Sequence, residues 1–310
     1  MKPLREAVHD YLALRRSLGF TLRDAGMALS KFVGFLETRG ATHVTTALAL
    51  EWAQENQRAQ PAQWAQRLSY VRGFARHHAA SDPQTEIPPW GLLPFHPRRA
   101  RPYLYSDEEI GQLLECALSL TPVGGLRPWT YHCLLGLLSV AGLRIGEALR
   151  LKFEDVDLQH ALLTIRGTKF GKSRIVPIHP STREVLAQYV RRRERFLAGR
   201  TGSTLFVTNR GTPLDMGDVH RIFYQLSRRI GLRGVTASHG PRLHDFRHRF
   251  AVQTLLQWYR CGEDVERRLP ALSTYLGHVH VADTYWYVSA CPELMGLAVG
   301  RLEQHWEQRP

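Results

Sequence analysis

Apolar residues recur at a helical period along the first eighty positions. Val8, Tyr11, Leu12 and Leu18 fall on one face of residues 4–19, and Trp64, Leu68, Val71 and Phe74 on one face of residues 61–79. Residues 22–39 and 45–57 carry similar spacing, so the pattern predicts four helices. From Pro83 to Pro102 the periodicity stops. Pro88-Pro89, Pro94 and Pro97 fix the backbone and remove donors, which suits an extended connector and opposes a helix. The pattern therefore divides the chain into a four-helix domain over 1–82, a linker over 83–102 and a second domain over 103–310.

The second domain opens with Ser106 and Glu109 at capping-box spacing, followed by the stripe Ile110, Leu113, Leu114 and Ala117. An apolar segment from Tyr131 to Val140 ends at Gly142, and a short helix is expected over 144–151. Residues 161–166 and 174–178 read as two strands around a turn, Gly167-Thr168-Lys169-Phe170-Gly171-Lys172, with glycine near both ends. Helices are expected again over 181–198, 215–230, 244–260, 265–276 and 292–307, with 204–208 as a further short strand. The predicted fold is mostly α with a small β-hairpin, an α+β second domain behind a helical first one.

Charge narrows the class of partner. A formal net charge of +13 on 310 residues favours a polyanion through counterion release. Before residue 95 there are 11 basic and 8 acidic residues, and after it 30 and 20, so most of the excess lies in the second domain. Only Lys2, Lys31, Lys152, Lys169 and Lys172 are lysines; the arginine richness of the rest reads as the mark of a GC-rich genome more than of a mechanism, although arginine's planar fork does suit phosphate. The runs Arg191-Arg192-Arg193 and Arg228-Arg229 read as solvated helix faces. Cys116, Cys133, Cys261 and Cys291 have neither CxxC nor zinc-ligand spacing and read as reduced thiols of a cytosolic protein. The N-terminal residues show no signal-peptide core, and no stretch reaches the roughly 20 apolar residues of a membrane span.

The candidate chemistry is concentrated in short motifs of the second domain. Arg144 stands in Gly142-Leu143-Arg144-Ile145-Gly146-Glu147, and Lys169 in the predicted turn, with Lys172 as its competitor. His244 and Arg247 are three apart on a predicted helix, so both side chains can face one phosphate. His278 follows Leu276-Gly277, and Tyr287 lies nine residues beyond it, with Tyr285 as the alternative hydroxyl. Two guanidiniums can clamp the charge of a pentacoordinate phosphate bidentately, and a tyrosine can attack it. His248 and His280 read as structural or solvent-facing, and Glu147 as the residue that orients Arg144.

In order and local context these motifs resemble those of the tyrosine recombinase (phage integrase) family over about residues 103–300. The first domain is similar in size and position to that family's core-binding domain, by pattern only. The resemblance implies Arg144, Lys169, His244, Arg247, His278 and Tyr287 as catalytic residues. Tyr287 would form a 3′-phosphotyrosine, His278 would donate to the phosphate and Lys169 would protonate the leaving 5′-oxygen, without metal or cofactor. It further implies a clamp around double-stranded DNA recombination sites and a homotetramer on two sites, exchanging strands through a Holliday junction. Integration, excision or transposition of a mobile element would be the outcome. Other recombinases or DNA-bending proteins are conceivable partners, in a cytoplasmic, nucleoid-associated setting. The face formed by Leu294, Leu297, Ala298 and Leu302 would dock on a neighbouring protomer. From Arg247 to His278 the chain is longer than the family pattern, and Trp258 to Asp264 read as an extended loop. The alternatives are a type IB topoisomerase or telomere resolvase-like enzyme, and a non-catalytic DNA-binding accessory subunit.

Overall fold

The computed structural model describes residues 3–93, 101–167, 173–200 and 202–307, with backbone only at 290 and 304–307. The chain forms two compact units, Met1–Ala100 and Arg101–Pro310.

The first unit holds the helices α1 (Leu4–Ser17), α2 (Arg23–Thr38), α3 (Thr46–Gln54) and α4 (Pro61–His78). The Thr45 side chain caps α3 by accepting from the Leu48 amide, and Pro61 starts α4 where its missing N–H costs nothing. Leu29, Phe32, Leu36, Trp52, Val71 and Phe74 form a core in which the Phe32 and Trp52 rings lie 5.1 Å apart. The start of the proline-rich segment adheres to this unit: buried Arg72 donates to the Pro88 and Pro89 carbonyls at 2.7 and 2.9 Å.

The second unit begins with α5 (Asp107–Leu118). Both hydrogen bonds of the expected capping box are present, Glu109 amide to Ser106 hydroxyl and Ser106 amide to Glu109 carboxylate. Next comes α6 (Leu126–Ala141), which starts five residues before the apolar segment that announced it. Eleven of its sixteen residues are buried, and a helix surrounded on all sides shows no amphipathic stripe to read. It is followed by α7 (Ile145–Arg150).

Three short strands, β1 (Val156–Asp157), β2 (Leu162–Ile165) and β3 (Arg174–Pro177), pair antiparallel in that order, with Leu163 opposite Val176. The hairpin was expected, whereas β1 is too short to announce itself by alternation. Residues 204 and 207 form isolated bridges to Lys152 and Pro213 in place of the expected strand.

Then come α8 (Pro180–Leu197), α9 (Met216–Arg229), α10 (Leu243–Arg260), α11 (Val265–Leu276), α12 (Ala282–Ala290) and α13 (Pro292–Glu307). The α12 helix was not foreseen. Its Thr-Tyr-Trp-Tyr-Val run has weak intrinsic helix preference, and packing against α10 and α13 overrides it.

Three further expectations need correction. Arg193 is buried rather than solvated, donating to the Gly202 and Thr204 carbonyls. Trp258 to Arg260 complete the last turn of α10, so the segment leading to α11 is a tight corner and not a long loop. The tail does not wait for a neighbour: Leu294 is fully buried, and it and Leu297 pack with Leu255, Leu269 and Tyr287 of the same chain. Arg301 fastens α13 by donating to the Glu263 carbonyl at 2.6 Å, while Met295, Val299 and Leu302 stay exposed on the outer side.

Candidate active site

The site is assembled on the C-terminal end of α11. A helix leaves its last carbonyls without intrahelical partners and carries partial negative charge there. Gly277 ends α11 in the left-handed conformation, at φ +70°, and its amide bonds back to the Thr274 carbonyl at 2.9 Å. Three successive carbonyls are thereby turned outward, and arginine side chains satisfy each of them. Arg174 Nε donates to Tyr275 at 2.7 Å, Arg247 Nη2 to Leu276 at 2.7 Å, and Arg144 Nη2 to Gly277 at 3.2 Å. Arg144 Nη1 also reaches Leu276, at 3.4 Å.

The two predicted phosphate-clamping arginines thus share one peptide carbonyl. The second guanidinium nitrogen of Arg247 donates at 2.9 Å to Gly142, which ends α6 at φ +57°. A Cβ at Gly142 would stand 2.5 Å from Phe250, and one at Gly277 2.8 Å from Arg174. Both glycines of the motifs are therefore needed for backbone geometry and for close approach.

Acidic residues at the third helical position fix the starts of the two helices that carry the arginines. In α7, Glu147 accepts from the Arg144 amide at 3.0 Å and from Arg144 Nη1 at 2.9 Å. In α10, Asp245 accepts from the Arg242 amide at 2.8 Å, which sets the first turn bearing His244 and Arg247. Burial alone would raise the Glu147 carboxyl, but the hydrogen bonds and charge of Arg174, joined by Arg144, hold it down at about 2. Arg174 was not foreseen. The first residue of a four-residue strand carries no distinguishing spacing, and only its contacts reveal its place.

Arg247 is 1% exposed and its guanidinium is lowered to about 10, by burial first, with the Tyr287 phenol opposing and Arg144 adding to the shift. Two cations this close would be relieved by an anion between them. Tyr287 is 2% exposed, and its ring stacks on His278 with centroids 5.9 Å apart. His278 Nδ1 lies 2.7 Å from the buried Thr284 hydroxyl. Burial, then the charges of Arg247 and Arg144, push His278 down to about 4. His244 is also lowered, by burial and by Arg247.

His248, read as structural, joins the cluster from its inner side, edge-on to His244, Trp286 and Tyr287 at 4.7, 4.9 and 5.4 Å. Its Nδ1 is buried without a hydrogen-bond partner. Tyr285, the alternative hydroxyl, is 54% exposed on another face of α12. Lys169 and Lys172 lie outside the described residues.

Five of the six residues singled out in the sequence, together with Glu147, thus stand around one helix end. The Phage integrase family model matches residues 106–293 of the chain. The chain is 59% identical to the putative integrase/recombinase y4rB of Sinorhizobium fredii, over 100% of both proteins. It is 31% identical to the tyrosine recombinase XerD of Mycobacterium tuberculosis, over 72% of this chain and 68% of that one. Its fold is similar to the solved structure of the Tn1549 transposon integrase in complex with transposon right end DNA. The TM-score is 0.68 and the identity 14%, covering 98% of this chain and 99% of that one. With its motifs gathered in one place and these relatives on either side, the chain belongs to the phage integrase family, the tyrosine recombinases, which cleave and rejoin DNA.

Proposed function

We propose that the protein is a site-specific recombinase in which Tyr287 attacks a DNA phosphodiester held by Arg144 and Arg247. The observation that carries this reading is the shared Leu276 carbonyl, which holds two guanidiniums side by side at the end where His278 stacks on Tyr287. The phenol gives up its proton to solvent as its oxygen forms the new bond to phosphorus, and the bond to the 5′-bridging oxygen breaks, that oxygen leaving with a proton from Lys169. A 3′-phosphotyrosine retains the bond energy, so a 5′-hydroxyl can reverse the step without ATP. Arg144 and Arg247 supply the positive charge that a divalent ion provides elsewhere, and His244 and His278 act as further hydrogen-bond partners of the phosphate. Because the Tyr287 ring is buried, α12 must yield for its hydroxyl to reach a duplex.

The substrate in this reading is a double-stranded recombination site gripped by both units, with four protomers on two sites. The full-length similarity to a putative integrase/recombinase favours integration, excision or transposition of a mobile element over relaxation of supercoils. The test is covalent capture on nicked suicide DNA, resolved on a denaturing gel. Wild type and Tyr285→Phe are expected to form the adduct, in EDTA as well as in magnesium. Tyr287→Phe is expected to form none while binding DNA nearly as well. An adduct from Tyr287→Phe, or one that chelation abolishes and magnesium restores, would reject the mechanism.

A further inference from the structure

Arg144 is held by Glu147, and that holder is itself held. Glu147 receives four hydrogen bonds, two from Arg144 and two from Arg174. Arg174 Nη1 donates to Oε1 at 3.0 Å and Nη2 to Oε2 at 2.8 Å, a two-pronged grip on both carboxylate oxygens. The third donor of the same guanidinium, Nε, holds the Tyr275 carbonyl at 2.7 Å, one residue before the carbonyl that Arg144 and Arg247 share. The Arg174 side chain is 9% exposed, against 36% for Arg144. It therefore offers little surface to DNA while Arg144 offers much.

From this arrangement we infer that Arg174 is a positioning residue for strand cleavage. It acts on the phosphate through Glu147 and Arg144, and it locks β3 to the end of α11. Rigid strands and helix ends hold a side chain to a fraction of an ångström only when the partner side chain is itself fixed. Without Arg174, Glu147 would keep Arg144 as its single ion-pair partner among the described residues. Its buried carboxylate would then be half-compensated and free to draw the Arg144 guanidinium inward, away from the phosphate. Lysine cannot replace the fork, because an ammonium is a point charge that cannot engage two oxygens and a carbonyl in one plane.

The inference rests on the reading of Arg144 as a phosphate clamp, and the experiment separates the two. Covalent complex formation is timed for wild type, Arg144→Ala, Arg174→Met and Arg174→Lys. Each is measured on suicide DNA with an ordinary phosphodiester and with a methylphosphonate at the scissile position. The methyl group removes the negative charge that Arg144 is there to balance. On the phosphodiester, Arg174→Met is expected to be slower by on the order of 10- to 100-fold, the range for losing an outer partner that orients a binding group. Arg174→Lys should show a smaller loss. On the methylphosphonate both should come within about 3-fold of wild type, as Arg144→Ala should, since a misplaced clamp no longer matters.

An equal loss on both substrates would reduce Arg174 to a merely structural residue and overturn the inference, as would wild-type rates on the phosphodiester. Should Arg174→Met fail to fold, Arg174→Lys decides by the same comparison. If Arg144→Ala itself cleaves the phosphodiester like wild type, the reading of the clamp falls first and takes this inference with it.

Discussion

His278 and His248 both have ring pKa values pushed down to about 4, by burial first and by neighbouring cations or His244 second. At neutral pH each is therefore uncharged, and among the described residues the positive charge of the site resides in its arginines. The ordinary value for histidine is 6.5, so between about 4 and 6.5 the unfolded chain binds more protons than the folded one. Stability is full above pH 6.5 and is lost as the pH falls through that window. The urea midpoint is expected to drop between pH 7 and pH 5, and His248→Phe should flatten that drop. A midpoint that stays level or rises on acidification would show that the rings are not held neutral. At this scale the sequence was most readable, because nine residues separating His278 from Tyr287, and three separating His244 from Arg247, are local spacings. Arg174 and His248 were not readable. Their roles depend on partners 27 and 39 residues away, and the types alone suggest a surface arginine and a structural histidine.

Helix ends, more than helix bodies, build this site. The glycines in Gly142-Leu143-Arg144 and Leu276-Gly277-His278 end α6 and α11 in the left-handed region, and each presents a carbonyl to an arginine. A motif glycine was visible in the sequence, but the carbonyl it frees was not. The amphipathic helices were legible within a few residues. The nine-residue α12, which bears Tyr287, was missed because aromatic and β-branched residues obscure a helix that tertiary packing imposes. The β2–β3 hairpin carries the remaining expectation. If Lys169 is the general acid, Lys169→Ala should slow cleavage on the order of 100-fold or more. It should matter far less when the 5′-bridging oxygen is sulfur, because a thiolate leaves without a proton. Lys172→Ala should show neither effect, only a modest salt-dependent loss of binding. If sulfur rescues Lys172→Ala while Lys169→Ala behaves as wild type, the roles exchange.

Each of the two units has its own core, and in the second the cluster around α6 is distinct from the one joining α10 to α13. A fragment of residues 101–310 is therefore expected to unfold cooperatively by itself in urea. It should bind duplex DNA more weakly than the whole chain, and a fragment that is unfolded in buffer would refute the independence of the core. Tail docking was read from the sequence as intermolecular because an apolar face at a chain end shows no partner. The partner is α10 and α12, brought back by the fold. One consequence follows from building the proposed phosphate clamp on the last turn of α11. Helix termini fray with a far smaller free energy than global unfolding. When that turn frays, the Tyr275, Leu276 and Gly277 carbonyls swing away together, and Arg144, Arg174 and Arg247 are each left with their partners outside α11, Glu147 for the first two and the Gly142 carbonyl for the third. Warming should consequently switch the enzyme off well below its melting temperature, over the same range in which the His278 amide, bonded to Ser273, begins to exchange with deuterium.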